Sequence, residues 1–199
     1  MTIIAQGAEA IITKKENIII KDRIKKGYRI PEIDIRLRKQ RTKRESKLLL
    51  KASQLIPVPK LIKSDEKEKI EMEFIEGEKL SNSLEKLTNK LSICKMIGNN
   101  IATLHDNNII HGDLTTSNMV YSNKKVYFID FGLSFESNKT EDKAVDLHLI
   151  KQALEAKHFK HYKEFWSAIL EGYKSSVNFK ETLKRLDIVE KRGRYKQAY

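Results

Sequence analysis

Three side chains in the second half of the chain could do chemistry together. His111-Gly112-Asp113-Leu114-Thr115-Thr116-Ser117-Asn118 sets a carboxylate and an amide five residues apart. Twelve residues after Asn118 comes a second carboxylate, in Asp130-Phe131-Gly132. Asp113 can accept or orient the proton of an attacking hydroxyl or water. Asn118 and Asp130 offer oxygen ligands to a hard divalent cation such as magnesium. Gly132 lets the chain turn sharply just after Asp130. A carboxylate for the nucleophile beside two metal ligands suits phosphoryl transfer from ATP, where catalysis is mainly positioning and charge stabilisation.

The spacing matches the protein-kinase catalytic loop, H-R-D-L-x-x-x-N, at every fixed position except the Arg, here Gly112. A D-F-G tripeptide alone is a weak signal. At this distance from the loop, and followed by helices, it is a strong one. A kinase-like first half must supply a lysine for the phosphates and an acid to hold it. Ile18-Ile19-Ile20-Lys21 closes a strand and resembles V-A-I-K, so Lys21 is expected at the α- and β-phosphates. Glu45 is the one acid in the basic stretch 36–53. It shares a helix face with Leu48, Leu49 and Ala52. An unpaired acid on a buried face is costly, so Glu45 is expected to pair with Lys21 rather than with Arg41. Ala5-Gln6-Gly7-Ala8-Glu9-Ala10 stands where a phosphate-covering loop is needed, with Gln6, Gly7 and Ala8 as ATP contacts. By position only, Glu73 and Phe74 in Met72-Glu73-Phe74-Ile75 fall at the strand and hinge that meet adenine.

These residues need elements to hold them. Residues 3–5, 9–13 and 17–21 read as strands, and 22–35 as a mixed loop. Residues 36–53 read as a helix, which Pro57 and Pro59 keep from continuing. Residues 69–74 alternate as a strand, and Gly77 marks a lobe boundary. Ile93, Ile97, Ile101 and Leu104 recur at helical spacing, so 84–106 is mainly helix. Residues 119–122 and 126–129 read as a hairpin, 141–156 and 159–174 as helices. Phe159, Tyr162, Trp166, Ile169 and Tyr173 form one stripe, read as core. The expected fold is α+β: a minimal bilobal protein-kinase-like domain. A small β-rich N-lobe with one helix C occupies 1–75, and a reduced helical C-lobe occupies 76–199.

Composition excludes several classes. The chain has 199 residues, 40% of them hydrophobic, which suits one domain with a buried core. No apolar run approaches the roughly 20 residues that span a bilayer. The N-terminal MTIIAQGAEA lacks a cationic n-region and a long apolar stretch, so cytosolic residence is expected. The single Cys94 makes no internal disulfide and no Cys-based metal site. The net charge of +12 is concentrated in two places. Residues 21–51 hold 13 Lys/Arg against four Asp/Glu, and 180–199 hold seven against three. Such patches fit a polyanion or a solvated Lys-rich surface. The four histidines His105, His148, His158 and His161 show no metal-like clustering and read as packing or surface residues. Asp146, in the helix after the D-F-G segment, is expected to brace the catalytic-loop backbone.

Two departures from ordinary protein kinases stand out. Gly112 replaces the Arg that meets a phosphorylated activation loop. After Gly132 only residues 133–140 precede the next helix, with no A-P-E segment. Switching by activation-loop phosphorylation has no room here, nor does a platform for an extended peptide. Thr115 stands where Ser/Thr kinases usually carry a phosphate-contacting Lys, which favours ATP hydrolysis over broad protein phosphorylation.

At these residues the chain resembles the small atypical Ser/Thr kinases of the KEOPS complex, the bud-site-selection kinase family. The resemblance covers essentially the whole chain. It rests on Gln6-Gly7-Ala8-Glu9-Ala10, Ile20-Lys21-Asp22-Arg23, Lys25-Lys26-Gly27-Tyr28-Arg29, Arg41-Thr42-Lys43-Arg44-Glu45, the His111–Asn118 loop, Asp130-Phe131-Gly132-Leu133, Lys143-Ala144-Val145-Asp146-Leu147 and Arg192-Gly193-Arg194. The resemblance implies an ATP- and magnesium-dependent kinase and ATPase that supports threonylcarbamoyl modification of tRNA adenosine 37. It implies contacts with a Kae-type tRNA threonylcarbamoyl transferase and a small Cgi-type subunit. It links a basic tail to tRNA, which maps onto Lys191, Arg192, Arg194 and Lys196. Competing readings are a small-molecule kinase of the aminoglycoside or choline type, a RIO-type protein kinase and a non-catalytic binding module. The first usually carries a large acceptor-binding insert, the second a longer N-terminal region. Joint retention of Lys21, Glu45, Asp113, Asn118 and Asp130 argues against the third.

Overall fold

Runs of β-branched residues separated by two- to three-residue turns dominate the start of the chain, and they form strands. A computed structural model describes residues 1–7 and 9–195, with side chains up to residue 192. Ala8 and Lys196, both expected at functional positions, lie outside the described residues, as does the side chain of Arg194. Two units divide the chain, Met1–Glu76 and the residues from Gly77 onward.

In the first unit, β1 (Thr2–Gln6), β2 (Ala10–Lys15), β3 (Ile18–Arg23), β4 (Leu61–Ser64) and β5 (Lys69–Glu73) form one sheet, ordered β1-β2-β3-β5-β4. Every neighbouring pair is antiparallel. Side chains alternate across a strand, so Lys21 and Arg23 are both buried while the intervening Asp22 is not. Helix α1 runs Pro31–Ala52, starting ahead of the expected residue 36. Pro31 at the helix start needs no N–H partner, and Glu32 and Asp34 in the first turn complement the helix dipole. Buried Asp34 also accepts hydrogen bonds from Lys26 N at 3.3 Å and Arg38 Nε at 2.8 Å, anchoring that turn. Leu48, Leu49 and Ala52 of α1 join Ile56, Val58, Ile70 and Met72 in the core of this unit.

The second unit is mostly helical. A short helix α2 (Leu80–Ser83) and a 3-10 turn (Leu84–Lys86) precede α3 (Lys90–Asp106). Residues 84–106 are mainly helical, as expected, with one break where Leu87 takes an extended conformation (φ −78°, ψ 133°). A three-stranded sheet joins β6 (Glu78–Lys79), β8 (Met119–Ser122) and β9 (Lys125–Phe128), and β7 (Ile109–Ile110) pairs with β10 (Phe135–Glu136). Asn123 and Lys124, with φ of 48° and 60°, make the two-residue turn of the β8–β9 hairpin. Then follow α4 (Thr140–Lys157), α5 (Tyr162–Tyr173) and α6 (Phe179–Tyr195).

Two glycines let α3 and α5 touch backbone to backbone. A Cβ on Gly98 would lie 1.9 Å from Ile169 O, and one on Gly172 2.0 Å from Lys95 O. The aromatic stripe is corrected. Phe159 precedes α5 and is 66% exposed, while Phe165, Ile169, Gly172 and Tyr173 are the buried set. Helix α6 was not expected, since residues 180–199 read only as a basic tail. It buries Thr182 and Leu186, and Lys151 Nζ of α4 donates to Glu190 Oε1 at 2.7 Å. Among the described residues no helix is long and apolar enough to cross a membrane.

Candidate active site

Within the first unit, β3 and α1 place Lys21 and Glu45 together. Lys21 Nζ donates to Glu45 Oε1 at 2.7 Å, and Glu45 is 1% exposed. Arg41, the alternative partner of Glu45, bonds Glu9 instead. A third member lies beyond the expected pair. Arg23, also buried, donates to the other oxygen of Glu45. One acid is thus shared by two cations. A signal was available: Arg23 is two residues beyond Lys21, on the same face of a strand.

Gly7 N donates to Ala10 O at 3.0 Å, closing the turn between β1 and β2, with Gln6 and Gly7 both exposed. Glu9, the residue after Ala8, anchors this turn through Arg29 and Arg41. Burial alone would raise the Glu9 carboxyl. The hydrogen bonds from Arg29 and Arg41 outweigh it and hold the carboxyl below its usual range. At the other end of the sheet the amides of the expected hinge are already committed. Glu73 N donates to Lys60 O at 2.9 Å and Phe74 N to Asn17 O at 3.0 Å. The Phe74 ring is covered by Lys14 Nζ, 3.5 Å from its centroid. In this sheet neither residue has its N–H open to a ligand.

In the second unit, β7 leads into the loop that carries Asp113. Asp146 of α4, 1% exposed, accepts from His111 N at 2.8 Å and Gly112 N at 2.9 Å. It also contacts His105 Nε2 at 3.2 Å. Gly112 has φ of +78°, and a Cβ there would lie 2.6 Å from Leu133 O. The missing Arg of the loop pattern is therefore a steric requirement here, since no side chain fits. His111 Nε2 lies 3.3 Å from Ile129 O, and Asp113 N donates to His111 Nδ1 at 3.3 Å. Burial pushes the His111 pKa down despite nearby Asp146, Asp130 and Asp113. A neutral ring fits both contacts, with Nε2–H donating and Nδ1 accepting. His111 is a brace for the loop.

The candidate reactive groups sit on that brace. Asn118 Nδ2 donates to Asp113 Oδ2 at 2.8 Å and to Asp113 O at 3.0 Å. With both N–H bonds on Asp113, the amide has its oxygen left to offer a cation. Ile129 N donates to Asn118 O at 2.9 Å, tying the β8–β9 hairpin to the loop. Asp130 follows with φ of +64°, uncommon for a residue with a Cβ, and is exposed. Gly132 N donates to Asp130 Oδ1 at 3.1 Å, and Phe131 is buried with its ring 4.9 Å from that of His111. Of the tail residues described, Lys191 and Arg192 are exposed members of α6, and Arg192 Nη1 donates to Glu141 Oε1 at 2.8 Å.

Comparison with known proteins agrees with this geometry. Residues 14–147 match the RIO domain family. Fold and site together define an atypical protein kinase with a RIO domain. The chain is 43% identical to KEOPS complex subunit Bud32 of Pyrococcus abyssi, over 99% of this chain and 97% of that protein. It is 38% identical to a probable serine/threonine-protein kinase BUD32 homolog of Archaeoglobus fulgidus, over 95% and 94%. A probable bifunctional tRNA threonylcarbamoyladenosine biosynthesis protein of Methanocaldococcus jannaschii is 40% identical, over 97% of this chain and 37% of that longer protein. The chain belongs to the Bud32 family. The RIO-type and KEOPS-type readings thus converge, one describing the domain and the other the relatives along the whole chain.

Proposed function

We propose that this kinase uses magnesium and ATP, works as a cytosolic KEOPS subunit and supports threonylcarbamoyl modification of tRNA adenosine 37. The observation that carries the chemistry is the Asp113–Asn118 pair, in which the amide holds the carboxylate and keeps its own oxygen for a cation. In the first unit, Lys21 offsets phosphate charge, with Glu45 fixing its ammonium. In the second, Asp113 orients the hydroxyl or water that attacks, and His111 and Asp146 keep its loop in place.

The donor set fits magnesium. Among the described residues no group of three His, Cys, Asp or Glu could hold a metal by itself. Magnesium commonly takes one or two carboxylates and completes its shell with water and substrate phosphate. Asn118 and Asp130 are the residues that would hold it. When bound, the ion supplies positive charge against the phosphate oxygens. The Kae-type and Cgi-type subunits are the proposed partners, and Lys191, Arg192, Arg194 and Lys196 the proposed tRNA-facing tail.

The test is ATP turnover by the wild type and Asp130→Ala, each alone, with a Kae-type partner, and with partner plus tRNA. Phosphate release and protein phosphorylation are followed in the same tubes. Free phosphate that rises with partner and tRNA, and vanishes in the variant, is the expected result. Label accumulating on Ser or Thr with little free phosphate makes protein phosphorylation the main activity. No turnover under any condition overturns the proposal.

A further inference from the structure

Glu85, His158 and Thr116 form a run of side-chain contacts that the proposed chemistry leaves unused. His158 follows the last residue of α4 and is 2% exposed; Thr116 is 1% exposed. Thr116 Oγ1 lies 3.0 Å from His158 Nε2, and Glu85 Oε1 lies 3.0 Å from His158 Nδ1. The ring also packs edge-on against Phe165, with centroids 5.8 Å apart. A carboxylate only accepts, so Nδ1 carries the proton and donates to Glu85. In the neutral ring Nε2 then accepts, and the Thr116 hydroxyl donates to it. The carboxylate fixes the tautomer, and the tautomer fixes the direction of the hydroxyl bond.

Thr116 opens the 3-10 turn Thr116–Asn118, whose last residue holds Asp113. That turn has no side-chain cap of its own, and its end is closed by one backbone bond, Asn118 N to Thr115 O at 3.0 Å. A single turn with one closing bond is weakly determined by itself. The Thr116 hydroxyl fastens it to the buried end of α4. Resting on the phosphotransfer reading above, we propose that Thr116 and His158 are positioning residues. The hydroxyl, clamped by a histidine that Glu85 orients, sets the turn that places Asn118 against Asp113. The loop is thereby held from two sides, by Asp146 on its backbone before Asp113 and by His158 on its turn after it.

Thr116→Val removes the hydroxyl at nearly constant volume, and Thr116→Ser restores it. These variants, His158→Ala and Asp113→Ala are compared with wild type for ATP turnover by the full chain, thermal stability and amide hydrogen exchange over 112–118. A misplacement of about 1 Å commonly costs about 100-fold in rate. Thr116→Val and His158→Ala are therefore expected to lower kcat about 10- to 100-fold, with KM for ATP within about twofold of wild type. Exchange in the loop should quicken in both, and Thr116→Ser should return kcat and exchange to near wild type. If Asp113→Ala is inactive while Thr116→Val and His158→Ala keep full kcat, the clamp is refuted and the phosphotransfer reading stands. If Asp113→Ala turns over normally, that reading fails, and unchanged exchange in Thr116→Val then refutes the clamp separately. Thr116→Ser as impaired as Thr116→Val also overturns it. Should His158→Ala not fold, the Val and Ser pair at 116 carries the test alone.

Discussion

Glu45 in the first unit is 1% exposed and held by two cations, whereas Asp113 in the second is half-buried and held by one neutral amide. The contrast matches the roles proposed for the two groups. A phosphate-binding lysine works if its charge is fixed in place, and burying an acid beside it fixes it. Burial makes the cluster dependent on every member, because removing one partner of a buried pair strands a charge. A carboxylate that handles a proton must stay reachable and ionised. It is therefore positioned by neutral donors and by a loop that other residues brace. The first arrangement ties function to stability, and the second separates them.

The largest expected effect is on rate, at Asp113. Asp113→Ala should lower turnover by about 10²–10⁴-fold, with little change in melting temperature, since the side chain is half-buried and pairs with an amide. A large loss of stability in this variant would break the contrast. Glu45→Ala should do the reverse of separating the two. It removes the buried acid that Lys21 and Arg23 share and should cost about 3–5 kcal/mol of stability as well as activity. Lys21→Met should destabilise less, because Glu45 keeps Arg23. Denaturant titration of the three variants ranks them, and Lys21→Met falling below Glu45→Ala would show that Arg23 does not share the acid.

Much of this contrast was legible beforehand, for reasons that differ by residue. Asp113, Asn118 and Asp130 stand in one short stretch, where loop chemistry leaves little freedom of spacing. Glu45 announced itself as a lone acid on the buried face of a basic helix. Arg23 lies on the same strand face as Lys21, but the V-A-I-K pattern specifies only the lysine. The Glu85–His158–Thr116 run had no local signal, since its members are separated by 31 to 73 residues. Strand β4 was invisible because its four residues do not alternate cleanly between buried and exposed. Helix α6 was hidden by its charge, although Thr182 and Leu186 repeat at helical spacing and are buried. The hinge residues Glu73 and Phe74 followed from position alone, and hydrogen bonds within the sheet occupy their amides.

A smaller effect sharpens the account of the second unit. Gly112→Ala places a Cβ 2.6 Å from Leu133 O at a φ of +78°. Strain of that kind costs about 1–3 kcal/mol. The backbone must shift to relieve it, and that backbone donates to Asp146 and leads directly to Asp113. Turnover should therefore fall further than the loss of stability predicts. Equal turnover per folded molecule would mean that Asp113 tolerates movement of its own loop.

The smallest stability effect is expected where an ion pair is exposed. Arg192 bonds Glu141, but its side chain is 61% exposed, so water and salt screen the pair. Arg192→Ala should change stability by about 0–1 kcal/mol, against about 3–5 kcal/mol for removing Glu45. The two variants ask the same question at opposite burial, and comparable losses would remove burial as the explanation for the first unit. Arg192→Ala also tests the proposed tail separately from the fold. If the guanidinium contacts a phosphate, the slope of log affinity for tRNA against log salt should flatten by about one. An unchanged slope with unchanged stability would leave Arg192 as a solvated partner of Glu141. A flattened slope with unchanged stability would show an exposed cation serving a partner at almost no cost to the fold, the opposite of what Lys21 and Arg23 do around Glu45.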